Sequence, residues 1–437
     1  MSDSQLVKNY SEICGTPMRK TLLSAVEYTF LRMDPAKVVE KFMQENKEVL
    51  IPHKKIYVLG FGKASLSMYK GLSNFAGSSI KKADIVIPEG MEADYSSKEL
   101  SLYRGTHPRV SEKSYAATKA SLEGISEASP DDVLITLISG GGSALFEYPE
   151  EWTSISEISE TADCLMSNGA DISDLNTIRV LMSRVKGGKL LGFLKTQKVL
   201  NLLISDVPGD DPALIASGPL VYRDTDISRI SGIEKKYSPD CHGLRNIAGR
   251  SGQVVSKEEI RKRVSTHVIQ KNSDFVQTFM EALSNSGFPA VSIGNGLGED
   301  VSSFSEWMVN RVRSIYRNEG KPFWFVGGGE TTSKIIGKGK GGRNCELALR
   351  VMQRFSGEDF LFSSIGTDGM DGNSGAMGGI SDTGLKERIG EEELKEYLSR
   401  SDSYSLLAKY NSAIVSGFTG TNVSDIFIGY YGGFKKS

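Results

Sequence analysis

Apolar residues along the chain gather in short runs, each about as long as a β-strand. Val, Ile, Leu and Phe occupy successive positions, without the alternation of apolar and polar residues that a half-exposed strand shows. Unbroken apolar strands are typical of parallel sheets that are covered on both faces. The eight runs are KIYVLGF, ADIVIP, DVLITLIS, KVLNLLIS, PAVSIG, PFWFVG, DFLFSSIG and VSDIFIGYY.

Segments with helical spacing separate these runs. One begins after the predicted cap Ser111, a second begins at Ser273 or Asp274 and stops at Gly287, and a third stops at Gly320. Strands and helices alternate through most of the chain, which predicts an α/β fold with mostly parallel sheets.

The 437 residues are enough for two or three domains. The polar, glycine-rich segment 241–255 precedes the charged segment KEEIRKR, which we predict to be the solvated face of a helix. We therefore place a boundary near 240–265, with an N-terminal domain over 1–245 and a C-terminal domain over 260–437. The path of residues 426–437 stays open, because they could return to the N-terminal domain.

Charge and cysteine content argue against several classes of protein. With 52 basic and 54 acidic residues, the net charge of −2 lacks the basic excess of a nucleic-acid-binding protein. The four cysteines form no CxxC pair, so we expect neither a zinc site nor a disulfide framework. No apolar run approaches the ~18 residues of a membrane span, and the N-terminus lacks a signal-peptide core. We expect a cytoplasmic protein without a membrane or nucleic-acid partner.

The first glycine loop, Gly60–Phe61–Gly62–Lys63–Ala64–Ser65, directly follows an apolar run. A dinucleotide fingerprint requires a third glycine at Ser65 and an acid at the end of the next strand, but Asp84 opens that strand. The spacing of a P-loop is also missing. The loop is predicted to be an anion-binding turn at a helix N-terminus, with Lys63 adding a charge. A structural turn with a solvated lysine is the alternative.

A second glycine loop follows another apolar run, as Ser139–Gly140–Gly141–Gly142–Ser143. Three successive glycines weaken regular structure, but they allow the backbone to approach a ligand closely. We therefore predict a phosphate cradle, with a plain flexible turn as the alternative. A nucleophilic serine is disfavoured, because the G-x-S-x-G pattern is missing.

Three carboxylates, Asp206, Asp210 and Asp211, cluster after the run KVLNLLIS. Carboxylate oxygens can hold Mg²⁺ beside substrate phosphates. An Asp- and Pro-stabilised turn is the alternative interpretation.

The C-terminal half carries further polar loops after its apolar runs. The segment GGGETTSKIIGKGKGGRNCE resembles a charged clamp of the kind that phosphoryl transfer uses. The segment GTDGMDG and the segment GTNVSD could both be turns alone, but they repeat the same pattern of Gly, Asp and Asn. The polar residues of these segments are Glu330, Thr331, Thr332, Arg343, Asn344, Glu346, Asp368, Asp371, Thr421, Asn422 and Asp425.

The segment DLNTIRVLMSRVKGGKL reads as one helix that ends near Gly187 and Gly188. Asn176, Arg179, Ser183 and Lys186 would then share a face, since they recur with helical spacing. That basic face could receive a carboxylate or phosphates, and a solvated helix face is the alternative.

Eight segments between about residues 55 and 430 together resemble one family, the glycerate 2-kinases whose C-terminal part is called the MOFRL domain. They are VLGFGKAS, THPRVSEKSYAAT, LISGGGSALFEYP, DISDLNTIRVLMSRVKGGKL, LISDVPGDDPALIASGP, GGGETTSKIIGKGKGGRNCELAL, GTDGMDGNSGAMGG and GTNVSDIFI. The resemblance implies two α/β domains, the first Rossmann-like, with the active site in the cleft between them. It implies transfer of the γ-phosphoryl of ATP to the 2-hydroxyl of D-glycerate, giving 2-phosphoglycerate. It also implies that Lys63 and Arg343 are catalytic.

With the resemblance and the loops combined, we assign roles to the remaining residues and expect ATP with Mg²⁺ or another divalent cation. Asp206 is the choice for orienting the acceptor hydroxyl, and Asp206 and Asp211 are the choices for the metal. The nucleotide-binding residues are Gly60, Gly62, Ser139, Gly140, Gly141, Gly142, Ser143, Lys186, Asp210, Gly329, Glu330, Thr331 and Asn344. The substrate-binding residues are Arg179, Asn176, Glu346, Asp368 and Asn422. A homodimer stays open.

The chain departs from the family pattern at Val180, Leu181, Cys345, Met370 and Phe418. These changes leave the glycines, Asp and Arg of the loops in place, so the acceptor range or the nucleotide preference could differ while the chemistry survives. Two other functions remain as alternatives. One is a hydroxypyruvate or tartronate-semialdehyde reductase using NAD(P)H, and the other is a non-catalytic nucleotide-binding sensor.

Overall fold

The computed structural model describes residues 5–49, 55–93, 95–224, 226–250 and 255–434. Its contacts divide the chain into two compact units. The first unit is Pro35–Gln270, and the second unit combines the residues up to Asp34 with those from Lys271 onward. The division predicted from the sequence, 1–245 and 260–437, had instead placed these N-terminal residues in the first domain.

The first unit contains a six-stranded, fully parallel sheet in the order β3-β2-β1-β4-β5-β6. Its strands are β1 (Ile56–Phe61), β2 (Ile80–Pro88), β3 (Leu100–Gly105), β4 (Val133–Ile138), β5 (Lys198–Ile204) and β6 (Val264–Gln270). This is the Rossmann strand order, in which ligands bind where the order reverses, between β1 and β4. The expectation of a Rossmann-like first domain is confirmed.

The helices of the first unit include those that connect the strands of this sheet, as parallel pairing requires. They are α3 (Pro35–Glu45), α4 (Ser65–Ala76), α5 (Glu112–Ile125), α6 (Gly142–Leu145), α7 (Ile155–Ser167), α8 (Ile172–Met182), α9 (Ile227–Tyr237) and α10 (Lys257–Arg263). Short 3-10 helices cover Lys47–Val49, Gly77–Ser79, Lys189–Phe193, Pro208–Asp210, Ile215–Ser217, His242–Leu244 and Ile247–Gly249.

The second unit contains a mixed sheet in the order β11-β10-β9-β12-β8-β7. Its strands are β7 (Ala290–Leu297), β8 (Phe323–Gly329), β9 (Glu358–Gly366), β10 (Gly378–Asp382), β11 (Ala413–Ile414) and β12 (Asp425–Phe434). Strand β12 is antiparallel to both of its neighbours, so Asp425 at its start pairs with Gly329 on one side and Gly366 on the other. Of residues 426–437, whose path the sequence left open, 426–434 therefore lie inside the second sheet, and 435–437 lie outside the described residues.

The helices of the second unit include two that precede the first unit in the chain. They are α1 (Tyr10–Ile13), α2 (Pro17–Arg32), α11 (Asn272–Ser284), α12 (Val301–Glu319), α13 (Arg343–Arg354), α14 (Thr383–Arg388), α15 (Glu391–Ser399) and α16 (Ser403–Lys409). The ring of Phe30 on α2 lies edge-on to that of Phe275 on α11, with centroids 5.4 Å apart. Arg19 donates to Asn411 O at 3.0 Å, which further fixes the N-terminal segment to this unit.

All eight apolar runs form strands, and seven of them have buried central positions as the pattern predicted. The eighth, β7, is an edge strand in which Ile293 alone is buried. Strands β3, β6, β10 and β11 were not predicted. Strands β3 and β6 are edge strands with polar residues and partial exposure, and β10 and β11 are short. The caps at Ser111 and Gly320 are confirmed.

One predicted helix ends earlier than expected. Helix α8 stops at Met182, and Ser183 has extended backbone angles. Lys189 Nζ donates to Val180 O at 2.9 Å and Ser183 O at 2.6 Å, which satisfies carbonyls at the end of the helix. The prediction that Lys186 lies on one helical face with Asn176 and Arg179 was therefore wrong.

The prediction against disulfides was also wrong, because Cys164 and Cys241 form one. The two residues are 77 positions apart, but the end of α7 lies against the segment after α9, with a Cα–Cα distance of 5.7 Å. Spacing along the chain carries no signal for such a pair. In the part of the chain that the structure describes, every helix is too short or too polar to cross a membrane.

Candidate active site

The loops after β1 and β4 touch each other at the point where the strand order reverses. Ala64 N donates to Ser139 Oγ at 2.9 Å, and Lys63 N donates to Gly140 O at 3.0 Å. Gly62 has φ 122°, and a side chain there would place its Cβ 2.3 Å from Ser139 Oγ. The glycine is therefore needed for this close approach.

Gly141 lies between two polar side chains. A Cβ added to it would lie 3.1 Å from His107 Cδ2 and 3.5 Å from Lys63 Cε. Among the described residues, no acceptor is present for the N–H groups of Gly140, Gly141 and Ser143. Backbone donors beside a lysine form an environment that suits an anion.

A cavity opens next to Ser143, between the β4 loop and helices α7 and α8. Arg179 and Lys186 line it together with Glu147. Lys186 and Glu147 are each 1% exposed, and Lys186 Nζ donates to Glu147 Oε2. Burial lowers the pKa of Lys186, although the carboxylate of Glu147 opposes the shift.

The other two predicted residues of α8 differ in their surroundings. No described residue accepts a hydrogen bond from Arg179, and burial lowers the pKa of its guanidinium, with Glu147 opposing. Asn176 is buried, and its Oδ1 is 3.5 Å from Ser217 Oγ. Arg179 thus faces the cavity with its donors available.

The predicted aspartate cluster lies at the same edge of the first sheet. Asp206 follows β5, the neighbour of β4, and is half-buried. Asp210 adopts a left-handed backbone with φ 54°, and exposed Asp211 accepts a hydrogen bond from Ala213 N at 2.9 Å. Within the described ranges, no three His, Cys, Asp or Glu side chains are grouped to hold a metal. One or two carboxylates would still fit Mg²⁺, which takes its other oxygens from water and substrate phosphates.

In the second unit, Arg343 is held by two carboxylates at the start of α13. Its Nε donates to Asp425 Oδ2 at 2.6 Å, and its Nη2 donates to Asp425 Oδ1 at 3.0 Å. Its Nη1 lies 2.9 Å from Glu330 Oε1. Burial alone would lower the pKa of Arg343, but Asp425 and Glu330 outweigh it and raise the pKa, so the guanidinium stays charged.

The two carboxylates differ in exposure. The side chain of Asp425 is fully buried, and it also accepts from Asn344 Nδ2 at 3.0 Å. The side chain of Glu330 is 45% exposed. Asp425 is therefore a partner of Arg343 that is shielded from water, whereas Glu330 is in contact with solvent.

The first turn of α13 is anchored by Asp371. Its two carboxylate oxygens accept from Asn344 N and Cys345 N, each at 2.9 Å. Burial raises the pKa of Asp371, and these two backbone donors oppose the shift. Burial likewise raises the pKa of the Cys345 thiol well above its ordinary value, which argues against a reactive thiolate.

The remaining predicted residues of the second unit lie at the same sheet edge. Glu346 accepts from Ser333 Oγ and from Arg350 Nε, so its carboxylate is already engaged. Thr331 Oγ1 is buried without a hydrogen-bond partner among the described residues. Asp368 follows β9, Gly329 ends β8, and buried Asn422 precedes β12.

Sequence reasoning gave no role to three residues that the structure places at these sites. Asp425 was noted only as one of a terminal Asp–Asn cluster, and His107 only as part of the segment THPRVSEK. Glu147 carried no signal of its own. Its position four residues after Ser143 would have been the only indication.

Comparisons with known proteins cover both halves of the chain. The MOFRL family model matches residues 323–425, and a model described as a domain of unknown function, DUF4147, matches residues 21–247. A glycerate 2-kinase of Picrophilus torridus is 38% identical, over 98% of this chain and 99% of its own. The chain belongs to the glycerate 2-kinase family.

Other members of the glycerate 2-kinase family give the same result. A glycerate 2-kinase of Pyrococcus horikoshii is 34% identical, over 89% of this chain and 90% of its own. The crystal structure of a glycerate kinase from Thermotoga maritima superimposes with a TM-score of 0.81 at 28% identity, over 95% of this chain and 99% of that one. The similarity therefore covers both units.

The departures from the family pattern fall in two environments. Val180, Leu181 and Cys345 are buried. Leu181 packs in the apolar cluster between α7, α8 and α9. Phe418 is 39% exposed, and Met370 is partly buried. Three of the five departures thus concern core packing.

Proposed function

We propose that this kinase transfers the γ-phosphoryl group of ATP to the 2-hydroxyl of D-glycerate, giving 2-phosphoglycerate and ADP. The observation that carries the proposal is the pair of glycine loops at the β1–β4 switch point, with open N–H donors beside Lys63. Its family, whose members match over nearly the whole chain, supports it as well.

In the proposed step, the 2-hydroxyl oxygen forms a bond to the γ-phosphorus, and the bond between that phosphorus and the β,γ-bridging oxygen breaks. The bridging oxygen leaves on ADP with the electron pair, and the hydroxyl proton passes to a base, for which we propose Asp206. Such a reaction asks the protein mainly for positioning and charge stabilisation. We assign phosphate binding to Gly140–Ser143 and charge neutralisation to Lys63.

Magnesium would be held by Asp206 and Asp211, and when bound it would supply positive charge to the phosphate oxygens. Asp206 is half-buried at the carboxyl edge of the sheet, and Asp211 is exposed. Carboxylates are suitable ligands for this hard cation.

Arg343 is the second proposed catalytic residue. Asp425 holds two of its nitrogens and fixes the plane of the guanidinium. A phosphoryl oxygen can take the place of Glu330 at Nη1, because Glu330 is the exposed partner. Arginine suits this role, since its planar donors match the geometry of phosphate.

The reductase alternative is weaker. Its cofactor would need an acid at the end of β2 to bind the ribose hydroxyls. Asp84 is instead fully buried within β2, and it accepts a hydrogen bond from the Tyr103 hydroxyl at 3.0 Å. Asp84 is therefore not in a position to bind a ribose.

The direct test is ³¹P NMR of the protein with ATP, Mg²⁺ and D-glycerate. We expect the signal of 2-phosphoglycerate. A 3-phosphoglycerate signal would retain the kinase and overturn the position of transfer. Absence of any phosphoglycerate would overturn the proposed acceptor.

Substitution of the two basic residues tests their roles. We expect Lys63→Ala and Arg343→Ala each to lower kcat/KM by about 10²-fold or more, because each removes a charge aimed at the transferring group. Lys81→Ala, which alters an exposed lysine of the same sheet, is the matched control and should leave kcat/KM unchanged. A value within about twofold of wild type for Lys63→Ala would contradict its role.

A further inference from the structure

The cavity beside Ser143 has a charge balance that limits what it can bind. We propose that it binds the carboxylate of a monoanionic hydroxy acid on Arg179, and that Glu147 restricts it to one negative charge by neutralising Lys186. This inference rests on the proposed function, since it names the substrate class that the same site accepts.

The lining of the cavity carries one net positive charge. Its cationic residues are Arg109, Arg179 and Lys186, and its acidic residues are Glu147 and Asp163, so three positive charges face two negative ones. Arg109 and Asp163 pair at the outer rim, with Nε 3.3 Å from Oδ1 and an arginine side chain that is 73% exposed. Lys186 and Glu147 pair inside the protein. Arg179 carries the remaining charge.

Arg179 is suited to hold a carboxylate. Its guanidinium has five N–H donors. None of the described residues accepts from them, and Glu147 acts on it through charge alone. An arginine with free donors, facing a partly buried cavity, matches the fork geometry of a carboxylate. Ser143 lines the same cavity and offers a hydroxyl to a neighbouring oxygen.

Glu147 is fixed in a way that keeps Lys186 occupied. Its Oε1 accepts from Tyr148 N at 3.0 Å, and its Oε2 accepts from Lys186 Nζ. Glu147 N in turn donates to Thr118 Oγ1 at 2.9 Å. Since both oxygens are engaged and buried, the carboxylate cannot turn away and release Lys186 to a second anionic group. Lys186 was predicted to bind nucleotide, but here it serves the cavity only as part of a neutral pair.

The consequence is discrimination against dianions of the same size. Tartronate has the carbon skeleton of glycerate, with a second carboxylate in place of the hydroxymethyl group. The added charge would meet no free cation in the wild-type cavity. In Glu147→Gln, the side chain keeps its shape but Lys186 loses its carboxylate partner, so the second carboxylate of tartronate can take that place.

The experiment compares the inhibition constant of tartronate with the KM for D-glycerate. We expect the ratio of the inhibition constant to the KM to fall by about tenfold in Glu147→Gln, because the second carboxylate of tartronate can then pair with Lys186 at short range. Glu150→Gln is the matched control, since Glu150 and Lys189 form a second buried pair that does not line the cavity. Its ratio should stay at the wild-type value. An unchanged ratio in a folded Glu147→Gln would overturn the inference.

A second variant covers the case in which Glu147→Gln does not fold. The double substitution Glu147→Leu with Lys186→Met removes both charges of the pair and leaves Arg179 as it was. We expect it to keep the wild-type ratio for tartronate, because the net charge of the cavity is the same. A fall in the ratio would contradict the role given to Glu147.

Binding measured by calorimetry without nucleotide separates this inference from the proposed function. D-glycerate should bind the wild-type protein, and Arg179→Met should weaken that binding by about tenfold or more. If no phosphoglycerate forms in the NMR test but glycerate binding still depends on Arg179, the cavity assignment stands and the kinase reaction fails. If glycerate binding does not depend on Arg179, the cavity assignment fails, whatever the NMR test shows.

Discussion

Asp84 is a carboxyl group in surroundings that disfavour its charge. It is fully buried in β2, its Oδ1 accepts from the Tyr103 hydroxyl, and its Oδ2 has no hydrogen-bond partner among the described residues. Burial raises its pKa from 3.8 to about 6, against the opposing effect of Tyr103. Gly124 leaves the space for it, because a Cβ there would lie 2.3 Å from Oδ2.

This shift predicts a stability that depends on pH. A raised folded-state pKa means that the folded protein holds the proton more tightly, so the free energy of unfolding falls as pH rises from about 4 to about 6. The residue should account for a fall of up to about 3 kcal/mol, which is complete above pH 6. Asp84→Asn should lose this part of the pH dependence. Denaturant unfolding at pH 4.5 and pH 7 measures the difference.

The matched control for Asp84→Asn is a substitution of a carboxyl group that is exposed to water. Exposed Asp131 belongs to the same unit, and Asp131→Asn should keep the wild-type pH dependence. A wild-type-like fall in stability for Asp84→Asn would show that its carboxyl ionises freely in the fold.

At the scale of single residues, the sequence revealed side chains whose own neighbours in the chain are unusual. Lys63 was visible because glycines precede it, and Arg343 because a glycine-rich loop leads to it. Asp425 and Glu147 were not assigned, because their roles come from partners 82 and 39 positions away. Such pairing depends on the fold and leaves no local pattern.

Among the elements, helix α13 is the one that presents Arg343. Gly342 at its N-cap has no side chain to cap it, and Asp371 supplies both hydrogen bonds from another loop. We expect Asp371→Ala to lower the free energy of unfolding by about 2 kcal/mol, since it leaves two N–H groups unpaired. It should also lower kcat/KM, because the first turn positions Arg343. Denaturation and steady-state kinetics measure the two effects.

The N-cap of α12 provides a matched control for that prediction. Asp300 accepts from Ser302 N at 2.9 Å. Asp300→Ala should lower stability by about 1 kcal/mol and leave kcat/KM unchanged. If both variants reduced kcat/KM to the same degree, loss of stability alone would explain the effect of Asp371→Ala.

The sequence predicted elements well where burial was complete. Seven of the eight apolar runs became buried strands, and the eighth, β7, forms a partly exposed edge strand. The end of α8 was misplaced, because the carbonyls that close it are bound by Lys189, a residue beyond the predicted helix. A helix end that depends on such a side chain cannot be read from helical spacing.

For the molecule as a whole, the disulfide Cys164–Cys241 joins α7 to the segment after α9 inside the first unit. A cross-link over 77 positions removes much of the freedom of the unfolded chain, worth up to about 4 kcal/mol. We expect the double substitution Cys164→Ser with Cys241→Ser to lower the Tm. Reductant should lower the Tm of the wild type but leave that of the double variant unchanged.

Cys14→Ser is the control, because Cys14 is a free thiol in the other unit. It should keep the response of the wild type to reductant. Titration of four thiols in the unreduced, denatured wild type would disprove the cross-link.

The placement of β12 has a consequence for how the chain is made. It lies between β8 and β9, so the second sheet consists of separate pieces until β12 has left the ribosome. The first sheet is complete once Gln270 has emerged. Biosynthesis therefore lets the first unit fold early. Meanwhile the edges of β8 and β9 stay open to wrong partners until β12 has emerged.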